Sequence, residues 1–403
     1  MNARTHGALL ALASLLASSA CSKEVVCSAD ETSWQGQCLA LSSDPRNCGS
    51  PGYACATGQS CSGGLCCAGS QCSPAIFVAC FDSAEVRGAT ADLKPVGAPV
   101  PVDSGPVSFA RLGTALWVAN SLSNTLDEIG AGLSAPAASV TIPQSGSFSD
   151  LEYLGAWQGR LYAANDAVGS IVVVDPSQAS PVVGEIPLPA QSYPQGIAFA
   201  GAKAYVALNG ADAVAVLDLS AGTVTKTVDL SGLASAGARA MPSRLLLDGN
   251  RLYVTLWNLV EATFAPGGDG LLAVIDTTTD ALAAQDRVDL GPGCLDPGGL
   301  ALRGSTIYVT CGFFAYDGTT VSGGGIVPVD VSGPVPAVKA EVQTPGAAPG
   351  AISFCGDVAF AGDRFSGSVL RFDPAQGAVT AQAVLCVPRT GSSEYVADVA
   401  CGQ

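Results

Sequence analysis

The chain has 403 residues, 48% hydrophobic and 13% charged, with 48 Gly and 25 Pro. That apolar fraction excludes a disordered chain, and so many turn-forming residues point to an all-β protein of many short strands rather than a helical bundle. A net charge of −16 excludes the basic footprint on which nucleic-acid binding rests.

Met1 to Ala20 places Arg4 and His6 ahead of the apolar run Ala8 to Ala17 and then small residues before Cys21, the organisation of an export signal. Its end, "LLASSAC", resembles a bacterial lipobox, with Ser18 where the usual Leu stands. The resemblance implies that Cys21 becomes the lipidated first residue of the mature chain; ordinary cleavage after Ala20 is the alternative. Cysteine parity favours the lipid. There are 15 Cys, so a lipidated Cys21 lets the other 14 pair in an oxidising compartment. Beyond the signal no segment approaches the ~20 apolar residues of a membrane span. The expected location is therefore the bacterial outer membrane or cell surface, with the membrane touched only through the anchor. Signal removal leaves 17 basic side chains against 34 acidic ones.

Residues 21–75 form the anchor and a module holding Cys27, Cys38, Cys48, Cys55, Cys61, Cys66, Cys67 and Cys72. A segment this small cannot build its own core, so disulfides must hold it. The run "NCGSPGYACATGQSC" resembles small cysteine-rich modules of the stigma-specific type, but Ser50-Pro51 stands where that pattern has another Cys, which leaves the connectivity open. A zinc site is the alternative use of such spacings.

From Ile76 onward the chain repeats itself. Residues 194–230 read as four strands, Gln195–Phe199, Ala204–Leu208, Ala213–Asp218 and Val224–Leu230, separated by turn residues. The second-strand aromatic recurs as Phe77, Trp117, Tyr162, Tyr205, Tyr253, Tyr308 and Phe360, and Asp175, Asp218, Asp276, Asp330 and Asp373 each close an apolar third strand. A period in the forties with four strands per unit is the signature of a β-propeller blade. Six full repeats begin near Pro106, Phe148, Pro194, Pro242, Pro297 and Pro349; residues 76–102 lack a first strand and residues 393–402 supply only one. The expected fold is an all-β, seven-bladed propeller over 76–403 with split-blade ring closure. The repeats "LYAAND", "AYVALNG" and "LYVTLW", followed by "VVVD" or "VAVLD", resemble the YVTN-type, lactonase-like propellers of exported bacterial proteins. Such families include sugar-lactone hydrolases and many surface proteins, but no catalytic motif here matches a lactonase residue by residue.

The only histidine is His6, in the signal. The mature chain therefore lacks a Ser-His-Asp or Cys-His system and any His-ligated metal. The Gly-rich stretches 266–270 and 322–325 lack a following P-loop Lys and read as turns. From Tyr205 to Asp218 is 13 positions, but Tyr253 to Asp276 is 23 and Tyr308 to Asp330 is 22. Two inserts between second and third strands are thus expected side by side on one face, carrying Trp257, Phe264, Phe313, Phe314 and Tyr316 near Glu261, Asp269 and Asp317. Aromatics beside carboxylates suit a protein or glycan ligand; the alternative is a lid whose inserts merely pack together. The leading functional reading is a non-catalytic binding scaffold with no cofactor. The alternative is a metal-assisted hydrolase in which Ca²⁺ is held by oxygens such as those of Asp150, Glu152, Asn165, Asp166 and Asp296.

Strand register also suggests three bridges. Cys80 and Cys311 each end a second strand, and Cys386 and Cys294 lie in the runs into those same blades. The expected pairs are Cys80–Cys386 and Cys294–Cys311, which leaves Cys355–Cys401. For the anchor, intact-mass measurement and detergent partitioning are expected to find a lipid-modified chain beginning at Cys21; a water-soluble form beginning there with an unmodified α-amine would contradict it.

Overall fold

The structure, a computed structural model, describes residues 27–402 apart from 29–30, 35, 49–50, 52–53, 56, 70, 131–133, 144–149, 315–320 and 389–393, and leaves out the side chains at 68, 71, 134–135, 313–314 and 321–323. Cys21, Phe148, Tyr316 and Asp317 lie outside the described residues. The repeat at 194–229 forms the strands Pro194–Ala200, Lys203–Leu208, Ala213–Asp218 and Thr223–Asp229, paired antiparallel in that order. The middle two are buried almost throughout, whereas the fourth is largely exposed. Burial on both faces explains why second and third strands are continuously apolar instead of alternating.

Among the described residues seven sheets have four or more strands. Six open with Pro106–Leu112, Leu151–Trp157, Pro194–Ala200, Pro242–Asp248, Pro297–Arg303 and Pro349–Cys355. In the seventh, Val396–Cys401 pairs with Ile76–Cys80, followed by Glu85–Ala89 and Pro95–Pro101. The opening strands touch in chain order, and Val396–Cys401 contacts both Pro349–Cys355 and Pro106–Leu112. They surround a central channel.

The repeated aromatics pack between neighbouring sheets. Phe77, Trp117, Tyr162, Tyr205, Tyr253 and Phe360 are no more than 4% exposed, and Tyr308 is half-buried, edge-on to Phe354. Each such burial contributes roughly 1.5–3 kcal/mol. Tyr205 also reaches the next sheet, donating its hydroxyl to Asp280, which accepts from Lys203 Nζ at 2.6 Å as well. The third-strand aspartates make turns. Asp175, Asp218, Asp276, Asp330 and Asp373 each accept a bond from the backbone N–H two residues on, an Asx-turn. Hydrogen bonding from Ser332 helps to hold the Asp330 carboxyl down to about 2.

The hairpin after the strand Pro242–Asp248 turns on Gly249-Asn250, because Asp248 itself pairs with Arg251. One local expectation differs. Residues 322–325 are not a turn but part of the strand Val321–Asp330. A Cβ on Gly324 would stand 2.0 Å from Ala347 O, so the backbones approach there as only glycine permits.

Disulfides join Cys80 to Cys386, Cys294 to Cys311 and Cys355 to Cys401, with Cα separations of 5.4, 4.9 and 5.4 Å. In the small module Cys27 bonds Cys38, Cys48 bonds Cys61, Cys55 bonds Cys66 and Cys67 bonds Cys72. So oxidised, these eight offer no thiolate to zinc. The module packs Cys48 and Cys66 against Ala75, Ile76, Ala89 and Leu93 of the closing sheet, and Arg371 donates to Pro51 O. Replacing Cys80 and Cys386 with Ser is expected to lower the melting temperature while leaving the β circular-dichroism signal intact. The chain-entropy ceiling for so long a loop is about 5 kcal/mol. An unchanged melting temperature, or a non-reducing peptide map linking Cys80 to the small module, would contradict the bridge.

Candidate functional site

Every opening strand skips a step of its ladder near its start. Pro194 pairs with Leu208 and Gly196 with Ala207, which leaves Gln195 unpaired; Val107, Glu152 and Ala397 are left out in the same way. In the other three strands two residues are passed over, Ser243-Arg244, Gly298-Gly299 and Gly350-Ala351. A β-bulge re-aims the side chain at the extra residue. Here all seven bulges contribute to one cavity of about 270 Å³, lined by Val107, Glu152, Gln195, Ser243, Gly298, Gly350 and Ala397 and by Trp257, Arg364 and Tyr395.

Two of the bulges are held by side chains that replace missing ladder bonds, Thr255 Oγ1 accepting from Arg244 N at 2.9 Å and Thr310 Oγ1 from Gly299 N at 2.7 Å. Asp398 Oδ2, next to the bulge at Ala397, accepts from Phe109 N of the neighbouring opening strand at 2.7 Å. Close approach of neighbouring opening strands needs glycine. A Cβ on Gly196 would stand 2.6 Å from Ser243 O, and one on Gly299 2.5 Å from Gly350 O.

Three carboxylates converge at one side of the mouth. Asp150, Glu152 and Asp166 each offer an oxygen within 4.8 Å of the others, and Asp150 Oδ1 accepts from Ser121 Oγ at 2.6 Å. Burial, reinforced by the charge of Asp150, pushes Glu152 up to about 8 and Asp166 up to about 7. Burial also raises Asp398 to about 6, against hydrogen bonds from Phe109 N and Val399 N. Asn165 and Asp296 do not join this cluster. Asn165 Oδ1 accepts from Val168 N, and Asp296 is ion-paired with Arg364 at 2.8 Å.

Of the residues expected on the inserts, Trp257 reaches the central mouth, where its indole Nε1 is buried without a partner among the described residues. The first insert is a short hairpin of Leu259–Val260 with Ala265–Pro266. Glu261 is exposed and ion-paired with Arg239 at 2.6 Å, which also holds Asp212, and Phe264 is 49% exposed. Asp269 lies beside Asn258, whose Nδ2 donates to its carbonyl. Phe313 and Phe314 end the strand Thr306–Phe314; their side chains, and all of Tyr316 and Asp317, lie outside the description. Glu152, Gln195, Ser243 and Arg244 were not singled out together by spacing alone. The signal was present nonetheless, since the bulged residue directly follows the repeat-opening proline in Pro194-Gln195 and Pro242-Ser243.

No protein-family model matches the chain, and no curated protein matches it in sequence. Its fold is similar to that of several solved structures. One is a protein from Lactobacillus plantarum, at 15% identity and a TM-score of 0.60, covering 81% of this chain and 98% of that one. Another is Kuenenia stuttgartiensis hydrazine synthase, at 17% identity and 0.54, covering 66% and 76%. A third is the WD40 β-propeller domain of Doa1, at 12% identity and 0.51, covering 73% and 90%. At such identities the likeness shows the β-propeller fold alone.

The raised carboxyls carry a pH dependence. In the fold Glu152 and Asp166 bind protons more tightly than in the unfolded chain, so their protonated forms favour folding. That contribution is complete below the ordinary carboxylate range and is lost as pH rises through about 7 to 8. The melting temperature is expected to fall between about pH 5 and about pH 9, and the fall should be smaller in Glu152→Gln. Identical slopes in wild type and variant would contradict the assignment.

Proposed function

We propose that this protein is an exported, lipid-anchored binding scaffold of the YVTN type, whose propeller presents one ligand site at the central mouth. The observation that carries this reading is the convergence of seven strand bulges on one cavity, with Trp257, the first residue of the longer loop, on its wall. A rigid ring suits such a role because its site is organised before the ligand arrives. Trp257 also ties the cavity to the insert-bearing face, where Phe264 stands exposed and available to a protein or glycan partner. The lipid anchor at Cys21 and the disulfide-held module fit display outside the cytoplasm.

A second reading has its own observation. The oxygens of Asp150, Glu152 and Asp166 stand close enough to share one cation, and a bound Ca²⁺ could polarise a substrate for metal-assisted hydrolysis. Both readings answer to one experiment, a thermal-shift screen of the mature chain against calcium, glycans, small acids and lactones, since a ligand of the native state raises its stability. On the scaffold reading a hit is obtained without calcium, and Trp257→Ala weakens it roughly tenfold or more while moving the unliganded melting temperature little. Stabilisation by calcium alone, abolished in Asp150→Asn and accompanied by lactone turnover, would favour the hydrolase. Hits indifferent to Trp257→Ala would contradict the mouth as the ligand site.

A further inference from the structure

The mouth is built in two layers of strand-opening residues. Below the bulged residues comes Ser108, Tyr153, Gly196, Arg244, Gly299, Ala351 and Asp398. Polar and aromatic groups therefore sit on consecutive strands, Glu152 and Tyr153, Gln195, then Ser243 and Arg244. The next two strands contribute Gly298, Gly299, Gly350 and Ala351, which occupy almost no side-chain volume. The glycine side is occupied by backbone and by Arg364, whose Cγ would stand 2.6 Å from a Cβ on Gly350.

Arg244 is the organising group. It lines both the mouth cavity and a second cavity of about 390 Å³ on the Asp398 side. Its Nη1 donates to Gln195 O, and its guanidinium lies 5.4 Å from the centre of the Tyr153 ring. Among the described residues no carboxylate oxygen stands within 4.0 Å of it, as for Arg251 and Arg371, which donate to neutral oxygens, whereas Arg87, Arg239, Arg303 and Arg364 all have ion pairs. The nearby acid Asp398 is engaged by backbone, each oxygen accepting one bond, from Phe109 N at 2.7 Å and from Val399 N at 2.8 Å, and it acts on Arg244 through its charge and not through a direct ion pair. Two further donors on the same wall want an acceptor. Trp257 Nε1 and Arg364 Nε are buried and have no hydrogen-bond partner among the described residues. A buried N–H left unpaired is unfavourable, and an acceptor that pairs it recovers that loss.

We propose that Arg244 anchors a binding site for a small oxyanion, a carboxylate or a phosphate, seated at the central mouth with Trp257 and Arg364 as additional donors. The inference rests on the reading of the mouth as the ligand site and gives that ligand a chemistry. A planar guanidinium fork suits oxyanions geometrically, and the low-dielectric wall strengthens each charged hydrogen bond.

The test is isothermal titration calorimetry of the mature full chain in low-chloride buffer, with inorganic phosphate, benzoate and the neutral isostere benzamide. At least one anion is expected to bind one site per chain, and benzoate to outbind benzamide if the source is an organic carboxylate. Binding of phosphate without benzoate would assign the site to an inorganic or phosphoryl group. Arg244→Gln should weaken the anion roughly ten- to a hundredfold, Arg244→Lys should retain part of the affinity, and Trp257→Phe, which keeps a smaller aromatic ring but has no N–H, should lose several-fold. Should Arg244→Gln fail to fold, the benzoate–benzamide comparison and Trp257→Phe carry the test. No heat from either anion, benzamide equal to benzoate with no phosphate binding, or full anion affinity in Arg244→Gln would overturn the anchor. A ligand from the wider screen lost in Trp257→Ala but unchanged in Arg244→Gln would keep the mouth and overturn the oxyanion. One indifferent to both would overturn both.

Discussion

The structure depends on one pairing, that of Val396–Cys401 with Ile76–Cys80, residues more than three hundred positions apart in the chain. Without it, the strand at 76–80 and the strand at 349–355 would present open edges or faces, and the opening strands would not surround an axis. Covalent bonds reinforce the same junction from two sides. Cys80–Cys386 ties the second strand of the closing sheet to the run that enters it, and Cys355–Cys401 ties its opening strand to the preceding sheet. Glu394 adds a polar lock, accepting from Asp82 N and Ser83 N at 2.9 Å. The cysteine-rich module lies against this junction and shares its core.

Closure converts seven similar strand starts into one site. A bulge costs a ladder bond, and in an open sheet its exposed residue would simply meet water. In a ring, seven such residues meet one another. The threonine side chains that take up the freed N–H groups of Arg244 and Gly299 keep that backbone satisfied, so these bulges are compatible with a buried axis. Glycines at 196 and 299 then set how closely adjacent strands approach, and thereby the width of the mouth.

The electrostatics of the mouth run against those of the chain. The whole sequence carries a net charge of −16, yet at the axis burial and mutual repulsion favour the neutral forms of Glu152 and Asp166, while Arg244 has no carboxylate partner among the described residues. The third-strand aspartates Asp175, Asp218, Asp276 and Asp330 are half-buried and Asp373 is buried, and all five are engaged in turn hydrogen bonds. Acids of the same type are thus divided by their partners into turn-makers that accept backbone N–H groups and a cluster of neighbouring carboxyls that hold protons.

The sequence by itself determined the fold and the limits of its chemistry. Strand content, the buried aromatics, the Asp turns and the division of one blade between the two ends were legible because each follows from local periodicity and turn chemistry, which repeat in phase. Register also singled out two of the propeller cysteine pairs that the structure joins, Cys80–Cys386 and Cys294–Cys311, and left Cys355–Cys401 as the third. The absence of histidine beyond His6 narrowed the available reactions before any coordinates. Local pattern fails where the sequence departs from regular pairing: residues 322–325 look like a turn but are a strand, because what selects glycine there is the carbonyl of Ala347, which is close only in the folded chain. The same reason hid the mouth. Glu152, Gln195, Ser243 and Arg244 belong to three different repeats, and no window of sequence contains them all. Only closure of the ring decided that they share a cavity, that Asp296 pairs with Arg364 instead of joining Asp150 and Asp166, and that Trp257 alone of the described insert aromatics lines the mouth.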